Sequence, residues 1–276
     1  VLNPQDKRAA IKAMQEETSI SQRRACRLVR LSRSSLNYRS EKQNDDQSVK
    51  KRLIELAHER RRFGYRRLHI LLGREGLKAN HKRIYRLYSE AGLAVRKRKR
   101  RKGIMVERQA LELPGLPNEV WSMDFVMDAL CNGRRLKILT VVDDFTKEAL
   151  DLPVAHSICG EQVARILDAV AQFRGYPKAI RTDQGPEFTS KALDQWAYNN
   201  GVQLKLIQPG KPTQNAYIES FNGKFRDECL NEHWFTDLAH ARKEIAIWRQ
   251  DYNEERPHSS LNYLTPSEFA AAHRAA

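Results

Sequence analysis

The sequence predicts two structural parts, an all-α basic region followed by an α/β domain whose mixed sheet carries helices on its faces. The 276 residues, of which 41% are hydrophobic, suffice for one enzyme-sized core and a smaller module. Apolar residues recur at helical spacing as far as Gly92, whereas short strand-like runs begin after Pro114. The charge divides at the same place, because residues 1–112 have a net charge of +19 and residues 113–276 have −4. We therefore place the start of the α/β domain near residue 113.

Residues 1–40 are predicted to form short helices in a helix-turn-helix-like arrangement, two of them at 22–28 and 34–38. Ser21 and Ser32 suit N-caps, because a serine hydroxyl accepts a hydrogen bond from a free amide at a helix start. The side chains that we expect to face inward are Cys26, Leu28, Val29 and Leu36. The side chains that we expect to face outward are Arg23, Arg24, Arg27, Arg30 and Arg33.

Residues 41–112 are predicted to form a basic helical region with three apolar stripes at helical spacing. Asn80 is expected to cap the third helix and Gly92 to end it. Three short helices with a basic outer face are typical of helix-turn-helix-like modules, although many small basic bundles bind no nucleic acid. The basic residues that we expect on the presented face are His81, Lys82, Arg83 and Arg86.

Seven consecutive basic residues follow this module: Arg96, Lys97, Arg98, Lys99, Arg100, Arg101 and Lys102. Such a run is either a solvated tail or an arm that follows phosphates, and its basic neighbourhood favours the arm. Positive charge concentrated in one region favours nucleic-acid binding, because phosphate contacts release counterions. Solubility or an anionic membrane surface are the other interpretations, but no helix here has the wide apolar face that a membrane surface requires.

Membrane and secreted proteins are excluded by features that the sequence lacks. No apolar run reaches the ~18 residues of a membrane-spanning helix, and the polar N-terminus does not resemble a signal peptide. The four cysteines, Cys26, Cys131, Cys159 and Cys229, form no C-x-x-C pair, so we expect reduced thiols rather than disulfides or structural zinc. These features predict a cytoplasmic protein with no membrane partner.

The α/β domain is predicted to begin with three strands in series, at 120–130, 136–142 and 148–154, with Asn132-Gly133 as a hairpin turn. Helices and strands then alternate, which is typical of a sheet covered by helices. The expected segments are a helix at 161–173, a strand at 178–181, a helix at 190–200, a strand at 202–207, and a helix from about Asn215. Trp121 and Trp196 are expected in the core rather than as stacking platforms.

Three acidic residues stand where this topology brings them together. Asp124 lies inside an apolar strand, where a carboxylate needs a partner or a metal ion because burial of a lone charge is costly. Asp183 follows a short strand directly, at the edge where α/β sheets bind ligands. Glu219 lies in the next helix. Three carboxylates on two strands and a helix suit a pair of Mg²⁺ ions, which take oxygen ligands and promote phosphodiester chemistry.

The spacing of these acids resembles the D,D-35-E pattern of transposases and retroviral integrases, with 58 residues between the first two and 35 between the last two. Arg226, seven residues after Glu219, matches a basic position in one group of bacterial insertion sequences. F-G-Y-R-R-L at 63–68 and Y-N-E-E-R-P-H-S-S-L-N-Y-L-T-P-S-E-F at 252–269 also match that group. The chain resembles the group's second-reading-frame (OrfB-type) product over nearly its whole length.

The resemblance implies a ribonuclease-H-like fold for 113–276 and a DNA transposase activity. The reaction would be metal-dependent cleavage at insertion-sequence ends, followed by strand transfer in which a 3′-hydroxyl attacks another phosphodiester. Asp124 and Asp183 would bind both of two Mg²⁺ ions, Glu219 would complete one site, and Mn²⁺ could substitute. The implied partners are double-stranded DNA, further copies of the chain, and an upstream-frame DNA-binding product, in the nucleoid-associated bacterial cytoplasm.

Arg226 is expected either near the scissile phosphate or in an exposed salt bridge to Asp227 or Glu228. The remaining candidate DNA contacts are Lys211, Asn215 and Asn222, near a segment that is either a mobile loop ordered by DNA or a plain surface connection. The side chains expected on the buried stripe of the catalytic helix are Ile218, Phe221, Phe225 and Cys229. The acids interpreted as turn or loop formers are Asp143, Asp144 and Glu187.

Two other functions stay open at this stage. The first is a DNA-binding regulator with an inactive core, which the presence of all three acids disfavours. The second is a plain nuclease of similar fold, which an assay of strand joining would distinguish from a transposase.

Overall fold

The computed structural model describes residues 3–38, 42–95, 114–207 and 215–274. The predicted basic arm at 96–102, Lys211 and the predicted domain boundary near residue 113 lie outside the described residues. The chain divides into two compact units, Val1–Arg52 and Leu53–Ala276. Within the described ranges, no helix has the length and apolar character needed to cross a membrane.

The first three helices are α1 (Pro4–Thr18), α2 (Gln22–Val29) and α3 (Arg33–Asn37). Their buried core consists of Ile11, Ala25 and Cys26, with Val29 and Leu36 partly buried against it. The side chains of Ser21 and Ser32 accept hydrogen bonds from backbone amides at the starts of α2 and α3, so both predicted N-caps are confirmed.

Leu28 was expected to face inward, and the structure corrects this prediction. Its side chain is 63% exposed. Leu28 follows Cys26 by two residues, about 200° around an α-helix, and therefore lies on the side opposite the core. Val29 returns to the buried side. The five arginines that were expected to face outward are exposed.

Three helices of the basic region follow, α4 (Lys42–Glu59), α5 (Tyr65–Arg74) and α6 (His81–Glu90). Apolar residues at helical spacing are fully buried, as at Leu53 and Ile84. Asn80 caps α6 as predicted, because its side chain accepts a hydrogen bond from the Lys82 amide at 2.9 Å. Gly92 follows α6 with a φ of 66°, a left-handed conformation that suits glycine at a helix end.

The α/β domain contains one mixed sheet in the order β3-β2-β1-β5-β6, with β4 paired to β2. The strands are β1 (Val120–Ala129), β2 (Arg135–Asp143), β3 (Ala149–Asp151), β4 (Val154–Ala155), β5 (Ala179–Thr182) and β6 (Gln203–Leu206). β2 is antiparallel to β1, β3 and β4, whereas β5 is parallel to β1 and β6. The mixed sheet predicted from the sequence is confirmed.

The predicted third strand is shorter than expected and is divided in two. Pro153 lies between β3 and β4, and proline has no amide hydrogen to donate to a strand ladder. The two pieces therefore pair with separate parts of β2, and the β2–β3 register also shifts between Val141 and Val142.

The described part of the domain also contains five α-helices: α7 (Gly160–Arg174), α8 (Lys191–Asn199), α9 (Ala216–Glu228), α10 (Leu238–Glu254) and α11 (Pro266–Arg274). Side chains of α7 and α8 pack on one sheet face with Trp121 and Trp196, which confirms both tryptophans as core residues. Side chains of α9 and α10 pack on the other face with Val126. Because strand residues alternate between faces, Asp124 belongs to the α9 face.

Candidate active site

Asp124 and Asp183 belong to neighbouring parallel strands. In the β1–β5 register, Ser122 pairs with Arg181. The same register continued by two residues sets Asp183, which directly follows β5, beside Asp124. Neighbouring strands lie about 4.8 Å apart, so these carboxylates are close neighbours on one sheet face.

Glu219 reaches the same place from the first turn of α9. Ile218 and Phe221 are buried against the sheet, as predicted for this helix. Glu219 itself is exposed, because it lies one residue beyond the buried stripe. The negative charges of Asp183 and Glu219 both raise the pKa of Asp124, so all three acids lie within electrostatic reach. We call Asp124, Asp183 and Glu219 the acid cluster.

The carboxylate of Asp124 is partly buried and carries two hydrogen bonds. Burial is the main reason that its pKa rises from 3.8 to about 6, and the two neighbouring acids raise it further. The Phe125 amide at 2.7 Å and the Asn222 side-chain amide at 2.9 Å donate to the carboxylate and act in the opposite direction. Among the described residues, no lysine or arginine forms an ion pair with the acid cluster.

Asp183 is exposed at the start of a tight loop. Its Oδ1 accepts a hydrogen bond from the Gly185 amide at 2.9 Å. A Cβ atom at Gly185 would lie 3.1 Å from the same oxygen, so the loop favours glycine there. Glu187 forms an ion pair with Lys137 of β2, which agrees with the expectation that Glu187 shapes this loop.

The donors of the acid cluster fit a hard divalent cation. They are all oxygen atoms, and the neighbouring negative charges repel each other until a cation neutralises them. Asn222 Oδ1 is also buried without a hydrogen-bond partner, although the amide nitrogen of the same side chain is bonded to Asp124. In the described part of the chain, no three His, Cys, Asp or Glu side chains are already arranged to hold a metal ion.

Arg226 lies seven residues after Glu219 on α9. Its guanidinium donates a hydrogen bond to the Met127 carbonyl of β1 at 3.0 Å. The alternative salt bridge to Asp227 or Glu228 is not formed, because those acids pair with other arginines. The charge of Arg226 is therefore not neutralised by any acid in the described residues.

A second charged group lies beside the acid cluster, where Ser122 of β1 and Arg181 of β5, each two residues before an acid of the cluster, meet Asp144 at the end of β2. Asp144 is fully buried and accepts hydrogen bonds from Ser122 Oγ at 2.9 Å and Arg181 Nη1 at 2.8 Å. We call Asp144 and Arg181 the Asp144 pair. Burial raises the pKa of Asp144 to about 6, while Ser122 and Arg181 oppose this rise. Asp143 and Asp144 were interpreted as turn formers, and Asp143 accepts turn amides from Phe145 and Thr146 while Asp144 lies in the same turn. The ion pair of Asp144 with Arg181 is an additional role that was not predicted.

The predicted DNA contacts differ in their surroundings. His81, Lys82 and Arg86 are exposed on α6, and Arg83 is half-buried. Asn215 is 9% exposed at the start of α9. The sequence analysis missed the contact between Asn222 and Asp124. The available signal was that Asn222 lies three residues after Glu219, on the same side of the helix.

Comparisons with known families divide the chain in a way that agrees with this architecture. Two families described as "Integrase core domain" match residues 115–212 and 200–266, and a family described as "HTH-like domain" matches residues 43–102.

Two relatives and one solved structure extend the comparison. The chain is 74% identical over 263 residues to the "Insertion element IS407 uncharacterized 31.7 kDa protein" of Burkholderia multivorans, covering 95% of each chain. It is 28% identical to the "Putative transposase InsK for insertion sequence element IS150" of Escherichia coli, covering 80% of this chain and 82% of the relative. A chain of the simian T-cell lymphotropic virus intasome, solved with PP2A regulatory subunit B56 gamma, superposes with a TM-score of 0.54 at 17% identity, covering 79% of this chain and 74% of that chain.

The structural similarity shows the fold, an integrase catalytic core of the ribonuclease-H-like type, and the sequence similarity shows the family. Divalent-metal dependence is general to that family. The chain belongs to the insertion-sequence transposases with an integrase catalytic core, polynucleotidyl transferases that carry out DNA transposition and integration.

Proposed function

We propose that the acid cluster is the catalytic centre at which this transposase cuts an insertion-sequence end and joins it to target DNA. The observation that carries the proposal is the meeting of Asp124, Asp183 and Glu219 on one sheet face without a lysine or arginine partner in the described residues. Three carboxylates without a counter-charge can bind Mg²⁺ from the solvent, and the bound ions can then contact the phosphates of the substrate.

In this proposal, Asp124 and Asp183 are ligands of two Mg²⁺ ions, Glu219 is a ligand of one, and Mn²⁺ can replace Mg²⁺. The bound ions supply the positive charge that stabilises the phosphoryl transition state and activates the attacking oxygen. Asn222 holds the Asp124 carboxylate in one orientation through its 2.9 Å hydrogen bond. Arg226 contributes a cation to the phosphate beside the scissile bond.

The proposed chemistry consists of two displacements at phosphorus. In the first, a water oxygen bonds to phosphorus and the bond to the 3′-oxygen breaks, which leaves a 3′-hydroxyl and a 5′-phosphate. In the second, that 3′-oxygen attacks a target phosphodiester and displaces the target's own 3′-oxygen. One phosphodiester bond is broken for each one formed in the second step, so strand joining needs no nucleotide energy source.

The proposed substrate is double-stranded DNA, held in part by the exposed basic residues of α6. Residues 1–112 carry the net charge of +19 that such contacts require. Because phosphate contacts dominate, we expect affinity to fall steeply with salt. We also expect the chain alone to discriminate transposon ends from random DNA by much less than the ~10³-fold typical of specific binders. We further propose that the active form is a homo-oligomer on DNA that works with an upstream-frame DNA-binding product.

The test is Mg²⁺-dependent reaction of the purified chain with a labelled duplex that carries the terminal repeats of its element. Cleavage followed by joining to unlabelled target DNA is the expected result. Cleavage without joining identifies a nuclease instead, and binding without either reaction identifies a regulator with an inactive core. A competition experiment with random DNA at near-physiological salt measures the end preference, and a strong preference by the chain alone contradicts the proposed need for an upstream product.

A further inference from the structure

Glu228, the last residue of α9, is the centre of a buried ionic cluster. Arg256 is 1% exposed and binds both carboxylate oxygens of Glu228, with distances of 2.7 Å from Nε and 2.6 Å from Nη2. Arg67 of α5 contacts the same carboxylate at 3.4 Å. Both guanidinium groups lie over the Phe63 ring, at 5.1 Å for Arg67 and 5.8 Å for Arg256. We call Phe63, Arg67, Glu228 and Arg256 the Glu228 cluster.

The cluster joins the two sequence motifs that the proposed chemistry does not use. Phe63 and Arg67 belong to F-G-Y-R-R-L, and Arg256 belongs to the R-P-H of the C-terminal motif. His258 of that motif accepts a hydrogen bond from Arg256 at 3.4 Å, and burial together with Arg256 lowers its pKa to about 2, so it is neutral. These motifs therefore meet at the end of α9.

Glu228 carries the negative charge on which the surrounding cations depend. Besides Arg67 and Arg256, the half-buried Lys224 lies one turn before Glu228 on α9. Burial and the neighbouring Arg256 lower the pKa of Lys224 to about 8, whereas Glu228 raises it. Loss of the Glu228 charge would leave several cations in a desolvated site, so the arrangement is held tightly.

Around the cluster, further ion pairs join residues 60–74 of the basic region to the catalytic domain. They are Arg60 with Asp251, Arg62 with Glu232 at 2.8 Å, and Arg74 with Glu268 at 2.7 Å. Several arginines of the basic region thus form ion pairs with acids of the catalytic domain, and these charges do not serve to bind DNA. The two charge-opposed halves of the sequence complement each other at this junction.

The Glu228 cluster is connected to α6 on one side and to the helix that carries Glu219 on the other. On one side, the Tyr65 ring of α5 meets the Tyr85 ring of α6 at 4.9 Å, so α5 and its basic neighbour move together. On the other side, Glu228 and Glu219 share one α-helix, nine residues or about 13 Å apart along its axis. The Glu228 cluster therefore links α5 and α6 to the helix that carries Glu219 and Arg226.

We propose that the Glu228 cluster sets which phosphodiester bond reaches the acid cluster, by fixing the DNA-holding helices at one distance from α9. Its members are positioning residues, since they act through the placement of α5 and α9 and touch no reacting atom. The inference rests on the proposed function, because it requires that α6 holds the DNA end that the acid cluster cuts.

The test compares cleavage positions, mapped to single-nucleotide resolution, for the wild-type chain and Arg67→Met. This variant removes the α5 charge and keeps both the aliphatic stem of Arg67 and the Glu228–Arg256 pair. We expect cuts at neighbouring bonds to rise about tenfold relative to the main position, with DNA affinity little changed. The matched control is Arg74→Met, which removes an exposed ion pair from the same helix and should leave the cleavage positions unchanged. Arg67→Lys should restore part of the wild-type distribution.

A purely structural role predicts a different result, namely a lower active fraction with every cut at the wild-type bond. That result in Arg67→Met, with folding verified by circular dichroism, overturns the proposal. Phe63→Leu, which removes the ring beneath both guanidinium groups, provides a second variant with the same expected shift. Absence of cleavage by the wild-type chain contradicts the proposed function instead, so the two failures are distinguishable.

Discussion

The acid cluster and the Asp144 pair are neighbours, because Arg181 of the pair lies two residues before Asp183 along the chain, yet only the Asp144 pair contains a positive counter-charge. Ser122 and Arg181 precede Asp124 and Asp183 and converge on the buried Asp144, which has its counter-charge within the chain. Burial raises the pKa of both Asp124 and Asp144 to about 6, and neighbouring acids add to the rise at both, but an arginine opposes it only at the Asp144 pair.

The two sites differ in whether the protein itself supplies the cation that neutralises the buried negative charge. At the Asp144 pair a permanent arginine ties β5 to the end of β2, which is a structural task. At the acid cluster, a lysine or arginine side chain would occupy the position at which an exchangeable metal ion would bind under the proposed function. The surrounding fold therefore holds three carboxylates together without a counter-charge from the described residues, and under the proposed function a bound metal ion would relieve their repulsion.

The largest expected effect comes from removing charge at the acid cluster. Asp124→Asn, Asp183→Asn or Glu219→Gln should each reduce Mg²⁺-dependent cleavage by at least ~10³-fold, because each loses an anionic ligand at nearly constant volume. Glu187→Gln is the matched control, since Glu187 lies in the Asp183 loop but pairs with Lys137. Cleavage near the wild-type rate in one of the three variants removes that residue from the catalytic set.

Removing the cation of the Asp144 pair should affect stability first. Arg181→Met leaves Asp144 buried without its counter-charge, which should lower the free energy of unfolding by about 3–5 kcal/mol. Denaturant titration measures this loss. The control Lys178→Met breaks a more exposed pair with Glu119, just before the start of β5, and should cost less than ~1 kcal/mol. Equal losses in the two variants contradict the structural role assigned to Arg181.

Asn222→Ala tests how Asp124 is held in the acid cluster, because the neutral side chain of Asn222 donates a hydrogen bond to the Asp124 carboxylate. Loss of its hydrogen bond should weaken metal affinity or cleavage by roughly 10–100-fold, as for other residues that orient metal ligands. Isothermal titration with Mn²⁺ and single-turnover cleavage measure the two effects. Asn222→Asp should be worse still, since a fourth acid adds repulsion. Wild-type behaviour of Asn222→Ala shows that Asp124 needs no such support.

Arg226→Ala should give a smaller effect, a roughly tenfold slower cleavage and joining with little loss of DNA affinity. Arg226 has no acidic partner in the described residues, so its charge is available to one phosphate. The rate is measured at saturating DNA. Arg249→Ala provides a matched loss of one arginine, since Arg249 of α10 likewise donates a hydrogen bond to a strand carbonyl, that of Leu150 at 2.6 Å. An unchanged rate for Arg226→Ala reduces its role to the hydrogen bond with Met127.

The smallest expected effect is on the pH dependence of stability without metal. The pKa of Asp124 is higher in the folded chain than its ordinary 3.8, so the folded state binds the proton more readily than the unfolded state. Stability should therefore fall as pH rises from about 4 to about 6. In EDTA, the Tm of Asp124→Asn should fall less over this interval than that of the wild type. Mg²⁺ above pH 6 should raise the Tm of the wild type only, and a parallel rise in the variant argues against a metal site at Asp124.

The sequence predicted the fold to within a few residues for most elements, because β-type and helical periodicities are local properties. The exceptions have local causes as well. Pro153 divides the third strand, and Leu28 lies on the exposed side of α2 although its neighbour Val29 is inside. The boundaries of α10 and α11 were not predicted, since the C-terminal motif was recognised by resemblance and not by periodicity.

The acid cluster was predictable for a different reason, since its spacing is a property of the linear sequence. The Asp144 pair was not, because Arg181 lies 37 residues from Asp144 and only the folded sheet joins them. The ion pairs of Arg60, Arg62 and Arg67 with acids of the catalytic domain were not predicted either, because they also join residues that are far apart in the sequence.

The parallel pairing of β1 with β5 has a consequence for protein synthesis. Asp124 leaves the ribosome well before Asp183, and Glu219 follows later still, so no early part of the nascent chain contains the catalytic set. The pairing is also long-range, and such contacts form late in folding because a long loop must close first. Under the proposed function, a nascent chain that has not yet reached Glu219 lacks the catalytic centre, so cleavage of DNA becomes possible only after all three acids have been made and β1 has paired with β5.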